Sequence, residues 1–342
     1  MRRLQYLGRK ASHIAGAVLI SSAAIAAATS SALAIDRVTV GTNPAGTIYA
    51  QIGGAMAALI QSKLDIQATA RPHSGTSVYL PLLHRGEIEF GLNSTLDSTL
   101  AYNGEGVYEQ PLTDLRAGML VFRANYGYYV QANSGMENVA DLAGKETIVT
   151  FRAIASFDRF NRAILASAGL GEDDLEPITV AGIPDAVRAL VEGEVDATPV
   201  IIGIPAIREA DAAVSGGLRV LSLGEDDTAL NELPGIATRV AEPAPPLVGV
   251  TEPTKIATFD VYLNTGPALT DDEAYEIIKT LHTNWEQLQK DLPPLRSLPA
   301  DKLAPSNMSH PYHPGAVRYF KEAGLWTDAH QARQDELLAI HN

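Results

Sequence analysis

The chain has 342 residues, of which 46% are hydrophobic and 6% aromatic, and its formal net charge is −14. This length suffices for two domain cores, while the negative charge and the lack of a basic stripe interleaved with aromatics argue against nucleic acid and anionic lipid as partners. Cysteine is absent, so the fold must be held by its cores without disulfides.

The amino terminus reads as an export signal. Four cations precede an uncharged, Ala-rich run over residues 14–29, and Ala32-Leu33-Ala34 fits a small-x-small cleavage site. We expect cleavage near Ala34 and a periplasmic mature chain. Removing residues 1–34 takes four of 26 cations and none of 40 anions, which leaves a net charge of −18. A retained membrane anchor is the alternative, but the apolar run is short for a membrane span.

The mature chain opens on a strand, a small-residue loop and a helix over residues 38–60. Val38 to Val40 is β-branched, residues 41–47 have turn chemistry, and Thr47 is the predicted N-cap of the helix. Ligands of open α/β sheets bind beyond the carboxyl ends of the strands, and a helix N-terminus there favours an anion. The loop is therefore either one wall of a small-ligand cleft or an ordinary βα turn.

Strands and helices alternate through the rest of the chain, which predicts an α/β fold. A capping box of Thr270 and Glu273 marks the start of a long helix. Pro-rich connectors are predicted at residues 241–246 and 290–312. The predicted strands cover residues 66–70, 88–92, 115–120, 128–131, 147–150, 195–202, 218–221 and 258–263, and the predicted helices cover 77–84, 97–103, 156–168, 185–192, 271–289 and, as the last one, 316–323.

A short internal echo suggests two related lobes. Residues 82–89 match residues 189–196 at a constant offset of 107 in the printed sequence. Each copy reads as a helix end, a glycine stop and a rising strand. A common αβ corner that arose twice is the alternative explanation.

Polar residues recur in the loops that follow the predicted strands. Hydroxyls, amides and backbone N–H groups suit a small polar ligand. Arg152 is the one cation in such a loop, and it is either a carboxylate clamp or a surface or inter-lobe charge. Tyr49 and Phe151 either stack on the ligand or pack in the core. The predicted ligand-binding residues are Asn43, Thr47, Tyr49, Ser74, Thr76, Ser77, Asn93, Ser94, Phe151, Arg152 and Ser156.

No motif for a cofactor, a metal or catalysis is found. The chain has neither a G-x-S-x-G elbow nor a phosphate-binding glycine loop. His310 and His313 lie in a proline-flanked loop without further ligands, so we expect His313 to cap the final helix instead. His73 beside Ser74 and Ser77 is the one arrangement that would suit a hydrolase.

Several motifs together resemble the solute-binding subunits of tripartite ATP-independent periplasmic (TRAP) transporters, in the TRAP-associated extracytoplasmic immunogenic (TAXI) branch. The resemblance runs from about residue 36 to 328. It rests on the motifs G-T-x-x-x-G-T-I-Y-x-x-I-G-G at 41–54, S-G-T-S-V at 74–78, R-G-E-I-E-F-G-L-N-S at 85–94, D-L-A-G-K at 141–145, G-E-V-D-A at 193–197 and H-P-G-A-x-R-Y-F at 313–320.

The resemblance implies a two-lobed, hinge-closing periplasmic binding protein, type II-like, with a central cleft. Lobe 1 would comprise residues 35–125 and 255–342, and lobe 2 residues 126–254, with hinges near 125 and 255. The protein would be a monomer without cofactor or enzymatic activity. It would pass a small organic anion, an amino acid or dicarboxylate such as glutamate or 2-oxoglutarate, to the TRAP membrane permease subunits. The second-lobe loop at 150–156 departs from the family's Gly/Ser/Pro-rich pattern.

Two alternatives remain at this point. One is an exported hydrolase on a similar scaffold, which needs a base within reach of a serine. The other is a ligand-sensing binding protein that works without a permease.

Overall fold

The structure is a computed structural model, and it describes residues 35–341. The predicted export signal and its cleavage site lie outside the described residues. Among residues 35–341, no helix has the length and apolar character needed to cross a bilayer.

The described chain contains ten strands and eleven α-helices, which alternate within residues 37–103 and 146–213 and end in four consecutive helices. The strands are β1 (Arg37–Thr42), β2 (Gln67–Pro72), β3 (Phe90–Ser94), β4 (Arg116–Gln131), β5 (Glu146–Phe151), β6 (Glu176–Val180), β7 (Ala197–Ile201), β8 (Leu218–Val220), β9 (Ile236–Ala241) and β10 (Thr254–Thr265). The helices are α1 (Ile48–Leu64), α2 (Thr76–His84), α3 (Thr95–Asn103), α4 (Ser156–Ser167), α5 (Ile183–Glu192), α6 (Pro205–Ala213), α7 (Thr228–Asn231), α8 (Asp271–Thr283), α9 (Trp285–Asp291), α10 (Pro314–Glu322) and α11 (Asp328–Ala339).

The sheet is built from two parallel halves that two long strands join. Its order is β2-β1-β3-β10-β4-β7-β5-β6, with β9 paired to β10 and β8 paired to β4. Strand β10 runs antiparallel to β3, and β4 runs antiparallel to both β10 and β7. The sheet therefore passes from one half to the other only through β4 and β10.

The two halves repeat one βαβαβα pattern, over residues 37–103 (the first unit) and 146–213 (the second unit). Strand β3 and strand β7 both start and end 107 residues apart, and α2 and α5 follow the same spacing closely. Gly86 and Gly193 end the preceding helices with φ of +68° and +71°, a conformation that glycine adopts at little cost. The short echo in the sequence thus extends over both units.

Local capping signals account for most helix starts that the sequence predicted. The Thr47 hydroxyl accepts from Ala50 N at 3.3 Å, which confirms Thr47 as the N-cap of α1. Thr270 and Glu273 form the predicted capping box of α8. His313 accepts from Gly315 N at 3.1 Å and caps α10, although α10 is followed by another helix.

Three predictions about elements were wrong. Residues 115–120 and 128–131 belong to the single strand β4, because Arg123 in its middle pairs with Asp260 of β10 instead of marking a turn. The helix predicted over residues 271–289 ends at Asn284, whose amide donates to Thr280 O at 2.9 Å, and a new helix starts at Trp285.

The third error is the last helix. Helix α11 follows α10, and its sequence is too polar to show an apolar stripe. It is docked through buried polar side chains such as Gln334, which bonds the backbone of Tyr312. Strands β6 and β9 and helices α6 and α7 were also not predicted.

Candidate functional site

The loops at the carboxyl ends of the strands in the two units touch one another. Ser77 N donates to Ala153 O at 3.3 Å, and Ala155 N donates to the Ser77 hydroxyl at 3.1 Å. On the other pair of loops, Ala206 N donates to Gly46 O at 3.3 Å. The helix N-termini of both units therefore face a common cleft, which is where open α/β sheets bind ligands.

The centre of this cleft is a buried carboxylate, Asp97, surrounded by hydroxyl groups. Its Oδ1 accepts from the Thr76 hydroxyl at 3.0 Å and from the Ser156 hydroxyl. Its Oδ2 accepts from the hydroxyl of Ser94 at 2.8 Å and from the backbone N–H of the same residue at 3.3 Å. We call Asp97, Thr76, Ser94 and Ser156 the cleft cluster. Because Ser156 belongs to the second unit, the cluster bridges the two units.

No cation compensates Asp97 among the described residues, since none of the ion pairs there includes it. The side chain is 1% exposed, and burial raises the pKa of its carboxyl, while the hydrogen bonds from Ser156, Ser94 and Thr76 oppose the rise. A buried carboxylate held only by hydroxyls and one backbone N–H is short of positive charge. The cleft is therefore suited to receive a cationic group.

Further acceptor atoms near Asp97 are buried without a partner. Within residues 35–341, Asn43 Oδ1 and Asn93 Oδ1 accept no hydrogen bond, and the Tyr49 hydroxyl has no partner. Strands β1 and β3 pair with Gly41 opposite Gly91, so the two asparagines follow at matching positions. Burial, with a smaller contribution from the charge of Asp97, raises the pKa of Tyr49 and keeps its hydroxyl protonated. The two buried amide oxygens require donors, whereas the protonated Tyr49 hydroxyl can donate.

The structure places the predicted residues in three groups. Thr76, Ser94 and Ser156 contact Asp97 directly. Asn43, Tyr49, Ser77 and Asn93 lie on the loops and helix starts around it.

The remaining four are engaged elsewhere or exposed. Thr47 is occupied as a cap and also donates to Pro44 O at 2.7 Å. Ser74 is exposed. Phe151 is fully buried and packs edge-on against Phe157. Arg152 is exposed, and its side chain has neither an ion pair nor a hydrogen bond with any described residue.

Residues that sequence reasoning missed complete the floor of the cleft. Ser98 Oγ accepts from Asn93 Nδ2 at 2.6 Å and from Asn264 Nδ2 at 3.1 Å. Asn264 Oδ1 lies 2.8 Å from His310 Nε2, and burial lowers the pKa of His310 to about 3. His310 is therefore neutral with its proton on Nε2. The S-x-x-D capping box of Ser94 and Asp97 was the available signal for Asp97, whereas no local signal connects Asn264 to Ser98.

The residues suggested for catalysis or metal binding are not assembled for either role. His73 makes no hydrogen bond with Ser74 or Ser77, and its Nε2 has no partner in the described residues. His310 is bonded to Asn264, and His313 caps a helix. Within residues 35–341, no group of three or more His, Asp or Glu side chains is arranged to hold a metal ion.

Comparisons with known proteins agree with this architecture. The NMT1-like family matches residues 40–324. A structure described as a periplasmic transporter is 13% identical, with 90% of this chain and 97% of that one covered at a TM-score of 0.55. A protein from Bordetella bronchiseptica RB50 is 16% identical, covering 89% and 98% at 0.51. The alkanesulfonate-binding protein of Xanthomonas axonopodis pv. citri, bound to MOPS, is 14% identical, covering 86% and 95% at 0.48. The fold is that of the two-lobed periplasmic binding proteins.

Proposed function

Because the chain belongs to the NMT1-like family and has the fold of two-lobed periplasmic binding proteins, we propose that it is an exported solute-binding protein. It captures a small organic anion between its lobes and releases it unchanged to the membrane subunits of a TRAP-type permease. The TAXI motifs at residues 41–54 and 85–94 support the choice of transporter class.

The cleft cluster is the observation that carries the proposal, and its chemistry restricts the class of ligand. Among residues 35–341, Asp97 has no cationic partner, and the side-chain oxygens of Asn43 and Asn93 accept no hydrogen bond. A dicarboxylate such as 2-oxoglutarate brings only acceptors to such a site, so its binding would leave these atoms unpaired. An α-amino acid such as glutamate brings an ammonium group with three N–H donors and a full positive charge. We therefore propose an α-amino acid as the ligand.

The carboxylate end of this ligand also requires donors. Helices α2 and α4 begin beside the cleft cluster, after Gly75 and Ala155, and neither N-cap uses a side chain to cover the first-turn N–H groups. Such N–H groups and the partial positive charge of a helix N-terminus favour a carboxylate. Arg152 lies in the same loop as Ala155, and its unpaired guanidinium is the proposed charged clamp.

Closure would occur by bending of the two strands that join the halves of the sheet. We propose lobe 1 as residues 35–125 and 255–342 and lobe 2 as residues 126–254, with hinges where β4 and β10 cross between them. Arg123 and Asp260 pair these strands through two hydrogen bonds of 2.7 and 3.2 Å near the crossing. Hydrogen bonds between Ser77, Ala153 and Ala155 would then be made on closure and lost on opening.

Isothermal titration calorimetry of the chain from Ile35 tests the ligand. We expect glutamate to bind, and 2-oxoglutarate to bind at least tenfold more weakly. Asp97→Asn should reduce the free energy of glutamate binding by about 1.5–3 kcal/mol, because a charged hydrogen bond is lost. Asp141→Asn, which removes a helix-capping carboxylate outside the cleft, is the control and should leave the affinity unchanged. Tighter binding of 2-oxoglutarate than of glutamate would refute the assignment.

The permease partnership is tested separately. Glutamate uptake by vesicles that contain the TRAP membrane subunits should depend on addition of this chain. Binding without any stimulation of uptake would favour the ligand-sensing alternative. We propose no enzymatic activity, because the one histidine near the predicted loop serines, His73, makes no hydrogen bond with Ser74 or Ser77.

A further inference from the structure

A second cavity, separate from the cleft cluster, is lined by both units and has a volume of about 850 Å³. The first unit contributes Ile48 and Gln51 of α1, and the second contributes residues 201–204 and Arg208. We call it the lateral cavity. Its remaining lining comes from Phe122, Arg123, Asn125, residues 245–247 and residues 291–297. The volume is within the range of small-molecule sites.

The walls of the lateral cavity are mostly apolar, and its charged groups are mainly arginines. Ile48, Ile202 and Ile204 are buried at its wall. The charged lining residues are Arg123, Arg208, Arg296 and Asp291. Arg123 is paired with Asp260, and both oxygens of Asp291 accept from Gln287 Nε2 at 2.8 and 2.9 Å. The excess positive charge of this cavity contrasts with the net charge of −14 of the whole chain.

The two remaining arginines have no carboxylate partner among the described residues. Arg208 Nη1 donates to Gly203 O at 2.6 Å, and Arg296 Nε donates to Gln289 O at 3.0 Å. Each guanidinium is thus anchored by a backbone carbonyl that leaves its charge uncompensated and most of its donors available. Arg208 belongs to α6 of the second unit, and Arg296 lies in the segment after α9.

Arginines that line a cavity of this molecule do not always lack a carboxylate partner. A cavity of about 560 Å³ between α3 and α4 is also lined by both units and contains two arginines. There Arg159 pairs with Glu105 at 3.0 Å, and Arg162 pairs with Asp158 at 3.0 Å and with Glu172. The arginines of that cavity are neutralised by the chain itself, whereas Arg208 and Arg296 of the lateral cavity pair with no carboxylate within residues 35–341.

We propose that the lateral cavity binds a small amphipathic organic anion, with its acid group between Arg208 and Arg296 and its apolar body against the isoleucine and proline wall. The charge asymmetry and the apolar walls together select this class. A purely polar anion would leave the apolar walls in contact with water, and a neutral apolar molecule would leave the two guanidinium groups without a counter-charge. Such an occupant bridges the two units away from the cleft cluster.

The test uses 8-anilinonaphthalene-1-sulfonate, whose fluorescence rises in an apolar site, with the folded chain from Ile35. We expect one site. Arg208→Gln and Arg296→Gln should each weaken binding up to about fivefold, as expected for a partly exposed ion pair. Arg37→Gln is the matched control. It removes an exposed arginine of β1 that has no side-chain partner within the described part of the chain, and it should leave binding unchanged.

A charge placed on the wall gives a second, independent readout. Gln51→Glu should weaken binding of the sulfonate probe, because the new carboxylate repels it. Gln61→Glu lies on the same helix but outside the cavity, and it should leave binding unchanged. The neutral analogue N-phenyl-1-naphthylamine should bind more weakly than the sulfonate, and glutamate should not displace the sulfonate.

Three outcomes would overturn the proposal. They are equal affinity of the double variant Arg208→Gln/Arg296→Gln and the wild type, equal affinity for the neutral and anionic probes, and displacement of the probe by glutamate. Circular dichroism in the near ultraviolet verifies that the probe reports a folded chain. A negative result at the lateral cavity would not affect the test of glutamate binding at the cleft cluster.

Discussion

Gly75 offers a way to separate closure of the cleft from folding. Its backbone is extended, with φ of 176°, so alanine is allowed at this position. A Cβ atom there would overlap the carbonyl of Ala153 and approach the Ala153 Cβ at 2.8 Å. Gly75→Ala should therefore hold the loop before α2 away from the loop before α4 without straining either unit.

The size of the effect follows from the contacts that separation breaks. These are the hydrogen bonds from Ser77 N to Ala153 O, from Ala155 N to Ser77 Oγ, and from Ser156 to Asp97. At about 1 kcal/mol each, their loss amounts to about 3 kcal/mol, or an affinity for glutamate about 100-fold lower.

Calorimetry measures the affinity, small-angle X-ray scattering measures the radius of gyration, and urea denaturation measures stability. We expect a larger radius, weaker binding and a nearly unchanged free energy of unfolding. Gly54→Ala is the control, because a Cβ there meets nothing within 4 Å, and it should stabilise α1 by about 0.5–1 kcal/mol without changing affinity. Wild-type affinity in Gly75→Ala would refute the reasoning.

Three further predictions concern the floor and the mouth of the cleft. His310 has a folded pKa of about 3, so the unfolded chain binds one more proton between pH 3 and 6.5. The free energy of unfolding of the wild type, relative to that of His310→Gln, should therefore fall by about 2 kcal/mol from pH 7 to pH 5. Urea denaturation measures this difference, and a difference that does not change with pH would contradict the prediction. Asn264→Ala leaves His310 Nε2 unpaired and should cost about 3 kcal/mol in the same assay, whereas a loss below 1 kcal/mol would show that the network is not needed. Arg152→Ala should reduce the free energy of glutamate binding by about 1.5 kcal/mol in calorimetry. An unchanged affinity would show that Arg152 is a surface charge.

Features that depend on neighbours within a few residues are predictable from the sequence alone. The N-cap at Thr47, the capping box of Thr270 and Glu273, and the glycine stops at Gly86 and Gly193 are of this kind. Each depends on hydrogen bonds or backbone angles within about four positions of the chain, so the residue types at those positions are sufficient to predict it. The alternation of strands and helices, and hence the fold class, follows from the same local information.

Pairings between distant segments required the folded chain. Asp97 was readable as a helix cap, but its contact with Ser156, 59 residues later, exists only because the sheet order brings α3 and α4 together. The bond between Asn264 and Ser98 spans 166 residues, and Arg208 and Arg296 meet at one cavity from separate segments. Residue types along the chain set which groups can donate, accept or carry charge. Which of them become partners depends on how β4 and β10 cross, and that crossing is the outcome of packing over the whole molecule.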